Sequence, residues 1–209
     1  MVNSSVCWSC NRERAESLGS IGLIEFISQC SGLNDRLDCL LVQLPPSLAF
    51  VHSVADSFFI ELRQQYAGHV VLEPRHESWL DAERLLIHHR IARAAVDPSR
   101  VSHDALPEGW PGLKYWRLQG SPRTYFSPYE LPTLQSLAIT LQTATTDSEA
   151  TWCMFDNTAS GAALGSALTL SALLRWGGQG RSSAAMNTFE RSRLSTFYWV
   201  ETDYVLFDL

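Results

Sequence analysis

Val70-Val71-Leu72-Glu73-Pro74-Arg75-His76-Glu77-Ser78-Trp79 joins a short apolar run to a polar cluster. The apolar part has the length and β-branched character of a buried strand. Pro74 stops the ladder, because proline has no N–H to donate. An acid, a guanidinium and an imidazole then sit together at one strand end. Thirty residues earlier, Leu40-Leu41-Val42-Gln43-Leu44-Pro45-Pro46-Ser47 has the same form. Between the two runs, Val54, Phe58, Phe59 and Leu62 recur near helical spacing, and Gly68 marks the stop. Strand, helix, strand with near-continuous apolar strands predicts a parallel sheet covered on both faces.

The alternation extends outward in both directions. Residues 21–29 read as a short helix and 37–44 as a strand. Residues 50–66 read as a helix, followed by the 70–73 strand and a helix near 81–89. Residues 91–96 form a strand ending at Asp97-Pro98, and 113–118 a strand ending at Gln119-Gly120. Then come a helix at 132–143, a strand at 151–155 ending at Asp156-Asn157, and a helix at 164–176. Three segments follow from this: an irregular stretch at 1–36 with one short helix, a βα domain at 37–176, and a linker and tail at 177–209. Gly177-Gly178-Gln179-Gly180 reads as a flexible link. The aromatic end, 197–209, suits a strand or a short helix.

The 209 residues are 45% hydrophobic and 18% charged, enough for one domain with a real core. A net charge of -6 offers no basic field, so nucleic acid is not indicated as a default partner. Five cysteines are too few and too scattered for a disulfide framework. Cys39 and Cys153 lie in apolar runs and read as small core residues, and Cys7-x-x-Cys10 lacks a second pair. A reducing cytoplasm fits this usage. The start has no apolar signal region, and no run approaches the roughly 20 residues of a membrane span.

In order along the chain, Leu40 to Ser47, Arg75-His76-Glu77-Ser78-Trp79, Tyr115 to Ser127 and Trp152 to Ala163 resemble the YecE-like domain-of-unknown-function family. That resemblance implies a TIM barrel without an agreed activity. The chain shows no counterpart to the family's Gly-rich first strand, so the resemblance implies an incomplete barrel holding strands four to eight of eight. The family most often has His where this chain has Gln119.

At the mouth of such a barrel the strand ends carry the chemistry. Glu73 and Arg75 point to one face of an extended chain and attract one another. His76 is the strand-end group whose ordinary pKa is nearest neutrality, which makes it the candidate acid or base. Asp97 is the third catalytic candidate. The competing structural reading is an ion pair at Glu73 and Arg75, with His76 capping a turn and Asp97 forming an Asp-Pro turn.

Ligand binding is assigned to Gln43, Arg75, Arg117, Gln119, Arg123, Asp156 and Asn157. A charged residue such as Arg117 in an apolar strand must be paired or used. Asn157, Thr158 and Ser160 are good N-caps ahead of small residues that let a ligand approach a helix N-terminus. Trp79 and Tyr125 are expected to line the mouth. Glu73, His76, Asp97 and Asp156 are hard-metal ligand types, but the nearby arginines oppose a metal and none is assigned. The cofactor is unknown.

Three functions fit. One is an enzyme acting on an anionic or phosphorylated small molecule. Another is a barrel that binds an anion or a nucleic-acid end without chemistry. The third is an inactive truncated family member that self-associates through exposed strand edges.

Overall fold

The computed structural model describes residues 4–9, 20–99, 101, 106–176 and 194–198. It is a mixed α/β structure in two compact units, one comprising Met1–Ala95 with Ser99–Pro111, the other Val96–Pro98 with Gly112–Leu209.

Unit 1 holds strands β1 (Ser4–Ser9), β2 (Leu37–Gln43), β3 (His69–Glu73), β4 (Ile91–Arg93) and β6 (Glu108–Gly109), in the order β1-β2-β3-β4-β6. The first four run parallel, and β6 lies antiparallel on β4. Helices α1 (Ser20–Cys30), α2 (His52–Gln65) and α3 (Glu83–His88) make the crossovers, with a 3-10 turn at Glu77–Ala82. Leu40, Val42, Val70, Leu72 and Ile91 face Leu23 and Ile27 of α1, Phe58, Phe59 and Leu62 of α2, and Leu85 and Leu86 of α3 in one buried cluster. Alternation sends Cys39, Leu41, Val71 and Ala92 to the opposite face, where they too are buried. Burial on both faces explains why these strands read as unbroken apolar runs.

Two differences from the sequence reading fall in unit 1. Residues 4–9, taken as part of an irregular segment, form a strand paired with β2 from Ser5↔Cys39 to Ser9↔Gln43. A polar run gains a place in a sheet through backbone hydrogen bonds to a neighbour, which no local pattern reveals. A strand therefore precedes Gln-Leu-Pro-Pro. The second difference is β6, only two residues long and embedded in a Pro- and Gly-rich loop.

Unit 2 orders its strands β5 (Ala95–Asp97), β7 (Leu113–Leu118), β8 (Ala150–Phe155) and β9 (Leu194–Tyr198). β7, β8 and β9 are parallel, joined through α4 (Leu131–Asp147) and α5 (Ala162–Trp176). Leu134, Ala138 and Leu141 of α4 and Ala163, Ala167 and Leu170 of α5 are buried. Strand β9 gives part of the aromatic end a position beside β8. The 177–183 link and residues 199–209 lie outside the described residues. Among the described residues, no helix is long and apolar enough to cross a membrane.

Candidate functional site

The predicted site residues divide between the units. Gln43, Glu73, Arg75 and His76 belong to unit 1; Asp97, Arg117, Gln119, Arg123, Asp156 and Asn157 belong to unit 2.

In unit 1, Gln43 and Glu73 are register partners at the ends of β2 and β3. Val42 and Leu72 enter the helix-side core, so alternation puts Gln43 and Glu73 together on the other face. The Glu73 residue is 1% exposed. Arg75 reaches back to its Oε1 from Nε at 3.4 Å and from Nη2 at 3.3 Å. A buried carboxylate is costly without a cation, and this contact supplies one.

His76 caps the 3-10 turn at Glu77–Ala82 through Nδ1, which accepts the Ser78 N–H at 3.2 Å. Both contacts of the competing structural reading are thus present. Trp79 does not line a mouth. It is buried in the core cluster, and its indole N–H donates to Leu48 O at 2.9 Å. The ring's large apolar area and its single donor are both satisfied there.

Unit 2 builds a denser polar group at the ends of β7 and β8. Arg117 shares the Tyr115 and Gln119 face of β7. Its Nη2 donates to Asp156 Oδ2 at 2.7 Å, with both side chains about nine-tenths buried. Gln119 is 4% exposed. Its N–H donates to Asp97 O at 2.8 Å, and its carbonyl accepts from the Tyr125 N–H at 2.5 Å. Its side-chain Nε2 is buried without a hydrogen-bond partner. Asn157 is fully buried, and its Nδ2 donates to Ser127 O at 2.9 Å while Oδ1 has no partner.

The loops after the two strands are zipped together. Ala159 N–H donates to Tyr125 O at 3.0 Å, and Ser160 Oγ donates to Phe126 O at 2.5 Å. Asn157 and Ser160, expected as N-caps of α5, instead spend their side chains on this neighbouring loop. Gly120 turns the first loop at φ +92°, and a Cβ there would meet Ser127 O at 2.8 Å. Arg123 is exposed, with its guanidinium 3.7 Å from the Phe126 ring centroid. Tyr125 is partly exposed.

Tyr129 escaped the sequence reading. Its hydroxyl accepts the Gly120 N–H at 2.9 Å and donates to Asp97 O at 3.2 Å, tying three segments together. Burial pushes its phenol well above the ordinary value. Nothing local separates it from the other scattered aromatics. Among the described residues, no three His, Cys, Asp or Glu side chains gather closely enough to hold a metal ion.

Comparisons give the fold a family. A crystal structure of a DUF72 family protein from Thermotoga maritima is similar with a TM-score of 0.64 and 22% identity, over 77% of this chain and 68% of that one. Two crystal structures of a DUF72 family protein from Enterococcus faecalis are also similar. Both give a TM-score of 0.62, with 15% and 17% identity over 75% and 73% of this chain and 66% and 68% of those chains. No curated protein matches. The family model described as a protein of unknown function, DUF72, matches residues 10–189. The chain belongs to the DUF72 family, the YecE-like family that its strand-end motifs resemble.

Proposed function

We propose that this DUF72 protein is a TIM-barrel-type protein that binds a small anionic or phosphorylated molecule at the C-terminal ends of its strands, with the β7 and β8 ends of unit 2 as the principal contact. The observation that carries this reading is Gln119 Nε2, a buried donor with no partner. An unsatisfied buried donor costs about 1–3 kcal/mol, and such groups call for a functional explanation. An acceptor oxygen from a ligand supplies the missing partner. Arg123, exposed on the loop that follows, adds positive charge, which suits a phosphate or carboxylate. The parallel strands with intervening helices in each unit support the barrel reading.

Binding without chemistry is the form of this proposal that the contacts favour. Gln119 does not titrate, and Arg117 and Asp156 already neutralise each other. Catalysis is the second reading, and the buried Glu73 carboxylate favours it, because strand-end acids are the usual acid–base groups of such folds.

A thermal-shift series with inorganic phosphate, sugar phosphates and small carboxylates tests the proposal. Wild type is stabilised saturably by at least one of them. Gln119→Met, which keeps the volume and removes the donor, melts higher in buffer by about 1 kcal/mol in stability and loses the ligand response. A panel that moves neither protein, or a Gln119→Met variant that responds like wild type, would sink the reading. Turnover of a phosphorylated compound, lost in Glu73→Gln, would move the protein to the enzyme class.

A further inference from the structure

The cap at His76 fixes more than a turn. Two groups meet its Nδ1: the Ser78 N–H at 3.2 Å and the Ser78 Oγ at 2.8 Å. A backbone amide only donates, so Nδ1 is an acceptor. The Ser78 hydroxyl oxygen itself accepts the Phe50 N–H at 2.8 Å. With no proton on Nδ1, the hydroxyl proton is the one that joins Oγ to the ring nitrogen. An imidazole whose Nδ1 accepts carries its proton on Nε2.

The arrangement is held from outside the turn. Trp79 donates to Leu48 O, and its ring lies 5.1 Å from that of Phe50. Residues 48–50 thus clamp the Ser78-Trp79 pair from the loop after β2. His76 itself remains partly exposed, next to Arg75 at the end of β3.

We propose that Ser78 is a positioning residue that sets His76 as an Nε2–H hydrogen-bond donor for an anionic oxygen of a ligand, not as a base. Accepting a proton at Nδ1 requires giving up the bond from the Ser78 N–H and reversing the one from its hydroxyl, and Nε2 has no lone pair to offer. This inference concerns unit 1 and does not rest on the unit 2 reading.

Long-range proton–nitrogen NMR of the labelled full chain, at about pH 8, reads the tautomer directly. His76 shows the Nε2–H form in wild type, and Ser78→Ala loses that preference. Inorganic phosphate then moves the His76 Nε2 signal saturably. Two substitutions separate the cap from the donor. In His76→Asn the side-chain oxygen stands in for Nδ1, so the cap and the melting temperature persist while phosphate, followed in wild type and variant at the Ser78 amide signal, binds roughly 10-fold or more weakly. In His76→Gln the amide nitrogen stands in for Nε2, so part of the binding survives at lower stability.

An Nδ1–H form or a mixture in wild type overturns the inference. A phosphate titration that leaves the His76 signal in place also overturns it, even if Gln119 responds and the unit 2 reading stands. Should His76→Asn melt lower than wild type, the tautomer and the phosphate shift in wild type still decide.

Discussion

Arg63 shows how one residue far from the strand-end chemistry secures the scaffold that carries it. Its guanidinium donates from Nε to His89 O at 2.7 Å, from Nη1 to Gly68 O at 2.7 Å and from Nη2 to Arg90 O at 2.5 Å. These carbonyls belong to the turns that feed β3 and β4. Burial lowers the guanidinium's pKa, but no accessible pH deprotonates it. Arg63→Ala leaves three carbonyls without their donor and should cost about 2–3 kcal/mol, read from urea denaturation. Arg63→Lys should recover little, because a single ammonium nitrogen cannot reach carbonyls that three separate guanidinium nitrogens serve. A loss below about 0.5 kcal/mol in the alanine variant would show that water replaces these bonds at no cost. At this scale the sequence revealed residue types and left geometry hidden. The Glu73–Arg75 contact was legible, since two residues apart on an extended chain share a face. The cap at His76 was one of its two readings, but the direction of the Ser78 hydroxyl was hidden, because that oxygen is also held by Phe50, 28 positions away. The Arg117–Asp156 pairing spans 39 positions, and the sequence said only that Arg117 must be paired or used.

At the scale of elements, long periodic segments were legible and short ones were not. The helix read at 50–66 is α2 at His52–Gln65, and the strand read at 113–118 is β7 at the same bounds. The strand read at 91–96 is two, β4 and β5, broken at Ala94. Strands β1 and β6 had no apolar alternation to betray them. Strand β6 is specified by contacts instead. Gly109 adopts φ +73°, where a Cβ would stand 2.6 Å from Ile91 O and 3.0 Å from Arg93 N. The Glu83 carboxylate takes its N–H with both oxygens, at 3.0 and 3.1 Å, and Arg93 pairs with Glu108. Gly109→Ala combines a left-handed penalty with a backbone clash and should cost more than about 2 kcal/mol. The damage should be local. The Trp110 amide, which donates to Ile91 O at 2.8 Å, should lose its protection from hydrogen exchange while the α2 amides keep theirs. Equal loss across unit 1 would mean that β6 is integral to the sheet and not laid upon it.

Across the whole molecule, buried thiols and phenols make alkaline pH the vulnerable side. Burial pushes the Cys30 thiol up to about 11 and the Cys153 thiol up to about 12, from an ordinary value of 9.0. Cys39, Tyr66 and Tyr129 are raised for the same reason. In each case the folded chain holds a proton that the unfolded chain has already released. The stabilisation is therefore complete below the unfolded value and is lost as pH rises through the folded one. Between pH 9 and the raised values, each thiol should remove about 1.4 kcal/mol of stability per pH unit. Cys30 lies in unit 1 and Cys153 in unit 2, so the fall should appear in both. Denaturant midpoints from pH 8 to 11 should be level at first and then drop. Cys153→Ala should begin from a lower midpoint, having lost buried volume, but fall less steeply with pH. A wild-type profile flat to pH 11 would show that these groups ionise in place, and that water reaches the strands more freely than their burial implies.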